Sequence, residues 1–407
     1  MSKTAIVYLI GAGPGDRGLI TIKGKELLQE ADVIVYDYLV NADLLEYVKE
    51  SAEILYVGKK SGQKEMTQSN INALLVKKAS QGNIVARLKG GDPFTFGRGG
   101  EEAEALQAKN IPFEIVPGVS SVSAVPTYSG ISLTHRDFTS SFAVVTGHED
   151  PLKKKSSIPW DALSQIGTVV FLMGVRKLKE NMAELVKAGK NPETPVAIIT
   201  WGTYPQQKTL TGTVKNISDL VKQHKEITSS GIVVVGEVVK LREIINWYET
   251  KPLFGKTIVV TRPKSQAYEF IKLLEEQGAN IIPFPTIQIF PPTSYKALDK
   301  AINSIEQYDW IVFTSVNGVK SFFNRLKELN KDIRELHRAK IATIGEVTAK
   351  EIENLGIKVD VVPNDFKAEG LLRIFKKEKI KDSKMLIPRA KVARDILPES
   401  LMKIGAK

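Results

Sequence analysis

The chain has 407 residues, 43% of them hydrophobic and 25% charged, with 57 Lys and Arg against 46 Asp and Glu and no cysteine. That length fits two to four globular units with real cores, and the absence of cysteine excludes disulfides, thiolate metal sites and cysteine nucleophiles. The net charge of +11 is uneven: residues 1–250 carry about +2 and residues 251–407 about +9, a distribution that suits nucleic acid or a polyanionic small molecule.

In chain order, Thr4–Ile10 is a short apolar run that stops at a glycine turn. The first residues show no signal-peptide layout, and no apolar run reaches the roughly 18 residues of a membrane span. The expectation is a cytoplasmic enzyme without membrane or nucleic-acid partners. Helix is predicted over Gly24–Glu30, strand over Val33–Tyr36, helix over Ala42–Val48 and strand over Ile54–Val57. Helical spacing follows at Asn70–Ala79 and strand at Ile84–Leu88. This alternation predicts a mostly parallel sheet with helices on both faces, and ligands beyond the carboxyl ends of its strands. Further strands are predicted at Phe142–Thr146, Val169–Met173, Val196–Thr200 and Ile232–Val235. The pattern breaks at Thr250-Lys251-Pro252, which sets a domain boundary there. Strand–helix units resume at Ile258–Thr261, Phe270–Glu276, Ile281–Pro283, Trp310–Phe313, Val319–Leu326 and Ile341–Ile344.

Two glycine clusters carry chemistry. Gly11-Ala12-Gly13-Pro14-Gly15-Asp16 follows the first strand. A nicotinamide site would place backbone N–H groups on a pyrophosphate. Pro14 has no N–H, Asp16 repels phosphate, and the spacing is G-x-G-x-G. A loop approaching an uncharged or cationic ligand fits better. The second cluster is Arg87-Leu88-Lys89-Gly90-Gly91-Asp92-Pro93-Phe94, with Gly97-Arg98-Gly99-Gly100-Glu101-Glu102 leading into a helix. Its glycines allow close backbone approach, and Asp92 can accept hydrogen bonds from a ribose or an amine.

These two clusters, with Val35–Asp37, Val57–Lys59, Val116–Ser121 and Leu133–Asp137 in that order, closely resemble uroporphyrinogen-III C-methyltransferases of the tetrapyrrole methylase family. The resemblance covers about residues 3–248. It implies a two-lobed α/β enzyme, with lobes at about 1–138 and 139–250, usually a homodimer. It implies successive S-adenosylmethionine-dependent methylation at C-2 and C-7, giving precorrin-2 for sirohaem and cobalamin. By the same resemblance the cofactor contacts fall on Pro14, Gly90, Gly91, Asp92, Thr95, Ser120, Ser121, Met173 and Gly202, and an acid–base pair falls on Asp37 and Lys59. Thr95, Ser121 and Tyr38 depart from the family's usual residues. The substrate's eight carboxylates suit Arg98, His135 and Arg136 as counter-charges. No metal is required.

Residues 251–407 carry Val259–Pro263, Phe313–Gly318, Thr343–Gly345, Ala368–Leu371 and Leu386–Arg389, an order that resembles uroporphyrinogen-III synthase. That family has two α/β lobes, and its chain returns to finish the first. The expectation is therefore a synthase-like α/β domain that is incomplete by roughly 100 residues on the usual scale of domain sizes and does not make uroporphyrinogen III from hydroxymethylbilane. A non-catalytic substrate-binding tail, or methylation of a later corrin intermediate, are the alternatives.

Overall fold

The computed structural model describes residues 5–58, 66–149, 156–227, 231–365, 368–378, 380–390 and 395–407. The chain forms two compact units, Met1–Gln288 and Ile289–Lys407.

The first unit opens with β1 (Ile6–Gly11), α1 (Ile22–Glu30), β2 (Val33–Tyr36), β3 (Glu53–Tyr56), α2 (Gln68–Ser80), β4 (Ile84–Lys89), α3 (Gly99–Gln107) and β5 (Phe113–Val116). Its sheet has the order β3-β2-β4-β1-β5, and every pairing is parallel. Side chains alternate between faces along a strand. Thus Val7 and Leu9 join the core formed with Ile71, Leu75 and Leu106, while Ile10 joins Leu28, Ile34 and Leu44 on the other face. Thr21 and Thr67 cap α1 and α2, each hydroxyl accepting a backbone N–H three residues on. Ala42–Tyr47 is a short 3₁₀ helix rather than α-helix, capped by Asn41.

After α4 (Ser121–Tyr128) come β6 (Phe142–Thr146), α5 (Trp160–Gln165), β7 (Thr168–Leu172), α6 (Leu178–Lys187), β8 (Pro195–Thr200), β9 (Lys208–Thr213), α7 (Ile217–Gln223), β10 (Gly231–Val235) and α8 (Arg242–Ile245). The order is β6-β7-β10-β8-β9, and only β6–β7 is parallel. This sheet is therefore mixed, not mostly parallel: β8 and β9 join antiparallel through a short loop, which needs no crossover helix. Val122 and Val125 of α4 pack against Ala197, Ile199 and Val234, so a helix leaving the first sheet covers one face of the second.

β11 (Thr257–Val260), α9 (Lys264–Glu276) and β12 (Asn280–Pro283) follow within the same compact unit. β11 and β12 pair in parallel. Arg17 holds the end of α9 through Glu275 at 2.8 Å. Val259 and Ile282 of these strands, Phe284 just after β12 and Leu273 of α9 are exposed.

The second unit contains α10 (Lys296–Asn303), β13 (Trp310–Phe313), α11 (Val316–Glu328), β14 (Lys340–Thr343), α12 (Glu346–Glu353), α13 (Ala368–Lys377), β15 (Met385–Leu386) and α14 (Ile396–Lys403). Its parallel sheet has the order β14-β13-β15. Ile311, Phe313, Phe322 and Ile341 build one core layer, and Trp310, Val312, Leu371 and Phe375 the other. Among the described residues, no helix of the chain is long and apolar enough to cross a membrane.

Candidate active site

The two glycine clusters, far apart in sequence, meet at the carboxyl ends of neighbouring strands. Ala12 N–H donates to Lys89 O at 2.8 Å, Gly13 N–H to Gly91 O at 3.2 Å and Gly91 N–H to Gly13 O at 2.7 Å. The loop after β5 closes on the same point. A Cβ built on Gly11 would lie 2.4 Å from Gly118 Cα and 2.8 Å from Gly91 O. Only glycine allows three backbones this close.

Asp92 spends its carboxylate on that junction. One oxygen accepts from Phe94 N–H at 2.9 Å and the Thr95 hydroxyl at 3.0 Å, and the other from Gly118 N–H at 3.1 Å. Asp92 is thus a loop clamp. Ser120 caps α4 by accepting from Val122 N–H, and the Ser121 N lies beside Gly91.

The second lobe reaches the same place through the loop after β8. A Cβ on Gly202 would strike Val125 of α4, and one on Gly15 would strike Tyr204. Asp16 N–H donates to the Thr203 hydroxyl at 2.9 Å, while the Asp16 carboxylate accepts from Gly18 N–H and from the Tyr128 hydroxyl at 2.7 Å. Burial first, then this bond to Asp16, push the Tyr128 phenol well above its ordinary value. Tyr128 in turn packs edge-on against Trp247 and Tyr248. Trp201 and Thr203 adopt left-handed backbone around Gly202, as does Met173 after β7. β7 and β8 are both antiparallel to β10, so Met173 and Gly202 stand at the same end of the second sheet. Pro14, Gly90, Gly91, Ser120, Ser121 and Gly202 therefore converge on backbone from both lobes.

Asp37 ends β2 at the carboxyl edge of the first sheet. Its two oxygens accept from Leu39 N–H at 3.1 Å and from the Arg87 guanidinium at 2.9 Å. Arg87 and Lys89 both point from β4 to Glu102 of α3, at 3.2 and 2.9 Å. Glu102 is fully buried and Arg87 and Lys89 nearly so. Burial, and the neighbouring positive charge of Arg87, lower the Lys89 ammonium below its ordinary value. Sequence reasoning missed this cluster. The signal was Arg87 and Lys89, two residues apart at the end of an apolar central strand, where parallel sheets ordinarily place Val, Ile or Leu.

The remaining positions are more scattered. Arg98 has left-handed backbone before α3 and clamps Glu101 with two bonds of 2.8 and 2.7 Å, holding that carboxyl below its usual range. Its loop follows β4, on the cluster side. His135 and Arg136 sit in a tight turn closed by the His135–Thr139 bridge. Thr139 packs on Gly167, just before β7 begins. That is the end of the second sheet opposite Met173, roughly 20 Å away at about 3.3 Å per strand residue. Lys59 lies outside the described residues.

The profile of the Tetrapyrrole (Corrin/Porphyrin) Methylases matches residues 6–218. The chain belongs to that family. The profile of Uroporphyrinogen-III synthase HemD matches residues 268–407, so a methylase domain is followed by a synthase-like one. Among similar proteins, the Porphyrin biosynthesis protein HemD of Ruminiclostridium josui is 42% identical over 390 residues, covering 96% of this chain and 77% of that one. The S-adenosyl-L-methionine-dependent uroporphyrinogen III methyltransferase of Methanosarcina barkeri is 50% identical over 245 residues, covering 60% of this chain and 96% of its own. Among solved structures, the native uroporphyrin III C-methyl transferase of Thermus thermophilus is 35% identical with a TM-score of 0.50, covering 58% of this chain and 99% of that chain.

Proposed function

We propose that this chain transfers methyl groups from S-adenosylmethionine to C-2 and C-7 of uroporphyrinogen III, giving precorrin-2 for sirohaem and cobalamin, and that it does so in the cytoplasm as a homodimer. We assign the methyltransferase to residues 1–250 and the synthase-like module to 251–407. The observation that carries the reading is the Gly13–Gly91 junction with Gly202 brought beside it by α4. Backbone from Pro14, Gly90, Gly91, Ser120, Ser121 and Gly202 forms the proposed cradle. At its glycine junction the N–H groups of Gly13 and Gly91 are spent on each other's carbonyls and Pro14 has none, so the first loop lacks the free donors that hold a pyrophosphate and better suits a sulfonium cation. Thr95 and Met173 complete the proposed contact set.

S-adenosylmethionine supplies an activated methyl group when bound. The protein's part is first alignment: loops from two lobes fix the cofactor against the substrate carbon, and proximity of this kind removes much of a bimolecular barrier. The macrocycle gains positive charge as it is methylated. The Asp37 carboxylate, at the sheet edge where ligands bind, stabilises that charge and accepts the proton that leaves. Lys59 is its proposed acid partner. Arg98 is proposed to meet a substrate carboxylate from the cluster side; His135 and Arg136, at the end of the second sheet opposite Met173, are left outside the proposed contact set.

Calorimetric titration with S-adenosylmethionine, S-adenosylhomocysteine, NAD and NADP tests the cradle. Binding of the first two alone is the expected result, and preference for NADP ends the reading. Supplying uroporphyrinogen III with S-adenosylmethionine and weighing the product tests the reaction: a gain of two methyl groups is expected.

A further inference from the structure

We infer that Arg87 is a positioning residue of the methyl transfer, held by Glu102 so that its guanidinium fixes the Asp37 carboxylate. The inference rests on the proposed role of Asp37. The guanidinium is gripped on three sides: Nε donates to Glu102 Oε1 at 3.2 Å, Nη1 to Leu88 O at 3.0 Å and Nη2 to Asp37 Oδ2 at 2.9 Å. Glu102 Oε1 also accepts from Lys89 Nζ at 2.9 Å and Gln68 Nε2 at 3.1 Å. Three elements, α2, α3 and β4, are thereby tied through one carboxylate oxygen, and Arg87 links them on to Asp37 after β2.

Stability alone gives this cluster no advantage. Buried ion networks are often no more stable than apolar side chains of the same volume, while removing one partner is costly. β4 is a central parallel strand, whose other four residues are Ile84, Val85, Ala86 and Leu88. What the charges add is direction. The Arg87 side chain is 3% exposed and that of Asp37 is 24% exposed, so the cluster leads from a sealed interior to one partly open carboxylate. With Leu39 N–H on Oδ1 and Arg87 on Oδ2, both torsions of Asp37 are set before substrate arrives. A misplacement of about 1 Å at such a group costs on the order of 100-fold in rate.

The test compares Arg87→Ala, Asp37→Asn and the double variant in the full chain. S-adenosylmethionine affinity is read by calorimetry and methylation by single turnover, with and without methylguanidinium. Arg87→Ala is expected to lose about 100-fold in rate, to hold S-adenosylmethionine within about threefold of the parent, and to regain about tenfold with methylguanidinium. The double variant is expected to be no slower than Asp37→Asn, because Arg87 acts through Asp37. A double variant slower by the full Arg87→Ala factor overturns the inference. So does cofactor affinity falling in step with rate. If Asp37→Asn turns over like the parent, the role of Asp37 fails and the inference with it. If Asp37→Asn is slow but Arg87→Ala is fast, only the inference fails. Should Arg87→Ala not fold, Glu102→Gln keeps the size and the acceptor oxygen. It is expected to lose about tenfold in rate at unchanged cofactor affinity, and a rate equal to the parent's overturns the inference.

Discussion

Gly11→Ala tests whether the glycine junction builds the cofactor site. The new Cβ would lie 2.4 Å from Gly118 Cα, 2.5 Å from Gly118 N and 2.8 Å from Gly91 O. Ordinary carbon–carbon contact is about 3.5–4.0 Å, so the loops must part by about 1 Å. All three obstacles are backbone, and no rotamer change relieves them. The displacement pulls on the Gly13–Gly91 pair of bonds and on the Gly118 N–H bond to Asp92. Overpacking of this kind costs about 1–3 kcal/mol, and that is roughly 5- to 150-fold in any binding that needs the loops closed. Calorimetry should therefore show S-adenosylmethionine affinity weaker by one to two orders of magnitude, with a lower melting temperature. Gly100→Ala is the control, since a Cβ there meets nothing within 4 Å and alanine favours helix. Parent-like affinity and melting temperature in Gly11→Ala would refute the idea that close backbone packing shapes the site.

Asp37→Asn should leave S-adenosylmethionine binding nearly unchanged and slow methylation by about two to four orders of magnitude, the scale of losing a general base; stopped-flow single turnover reads it, and a loss of only a few-fold makes Asp37 a turn-former. Alkaline stability should follow the tyrosines at the lobe junction. Burial pushes Tyr204 up to about 12 and also raises Tyr128 and Tyr248. Their folded values lie above the unfolded value near 10, so their contribution is complete below about pH 10 and lost as pH rises towards 12. Melting temperature measured across that window should fall, and Tyr204→Phe should flatten the fall; an unchanged slope defeats the assignment. Ser315→Ala removes the hydroxyl that accepts from Gly318 N–H at the start of α11. Thermal unfolding should show a loss of about 1 kcal/mol, the usual worth of such a cap, with methylation of supplied uroporphyrinogen III unaltered.

The strands were legible where the residues form an unbroken apolar run. Val33–Tyr36 and Trp310–Phe313, largely buried, and Phe142–Thr146, an edge strand that is apolar all the same, have the bounds that the sequence predicts. β9 was not legible because it is an edge strand reading Lys-Thr-Leu-Thr-Gly-Thr, half-exposed throughout, and an edge need not be apolar to pair. For the same reason the mixed character of the second sheet escaped the strand–helix count. Both glycine clusters were legible because close backbone approach admits no other residue. Their meeting was not, since the Gly13–Gly91 bridge spans 78 positions and leaves no local periodicity.

Chemistry was legible only in part, and the reason lies in how side chains are shared. Asp92 reads from sequence as a ligand acceptor, yet its oxygens already serve Phe94, Thr95 and Gly118. Asp37 reads as a lone acid after a strand, yet its geometry comes from Arg87 on the next strand of the sheet. Parallel neighbours β2 and β4 place Val35 opposite Arg87, so a residue two positions past Val35 falls within reach of the long guanidinium. Sequence shows both residue types and cannot show that register. What it does show is the anomaly: two cations ending a strand that burial should keep apolar. A buried charge that brings no stability advantage where it sits is the reason to propose that it holds its neighbour in place, and that neighbour is the partly open Asp37 carboxylate.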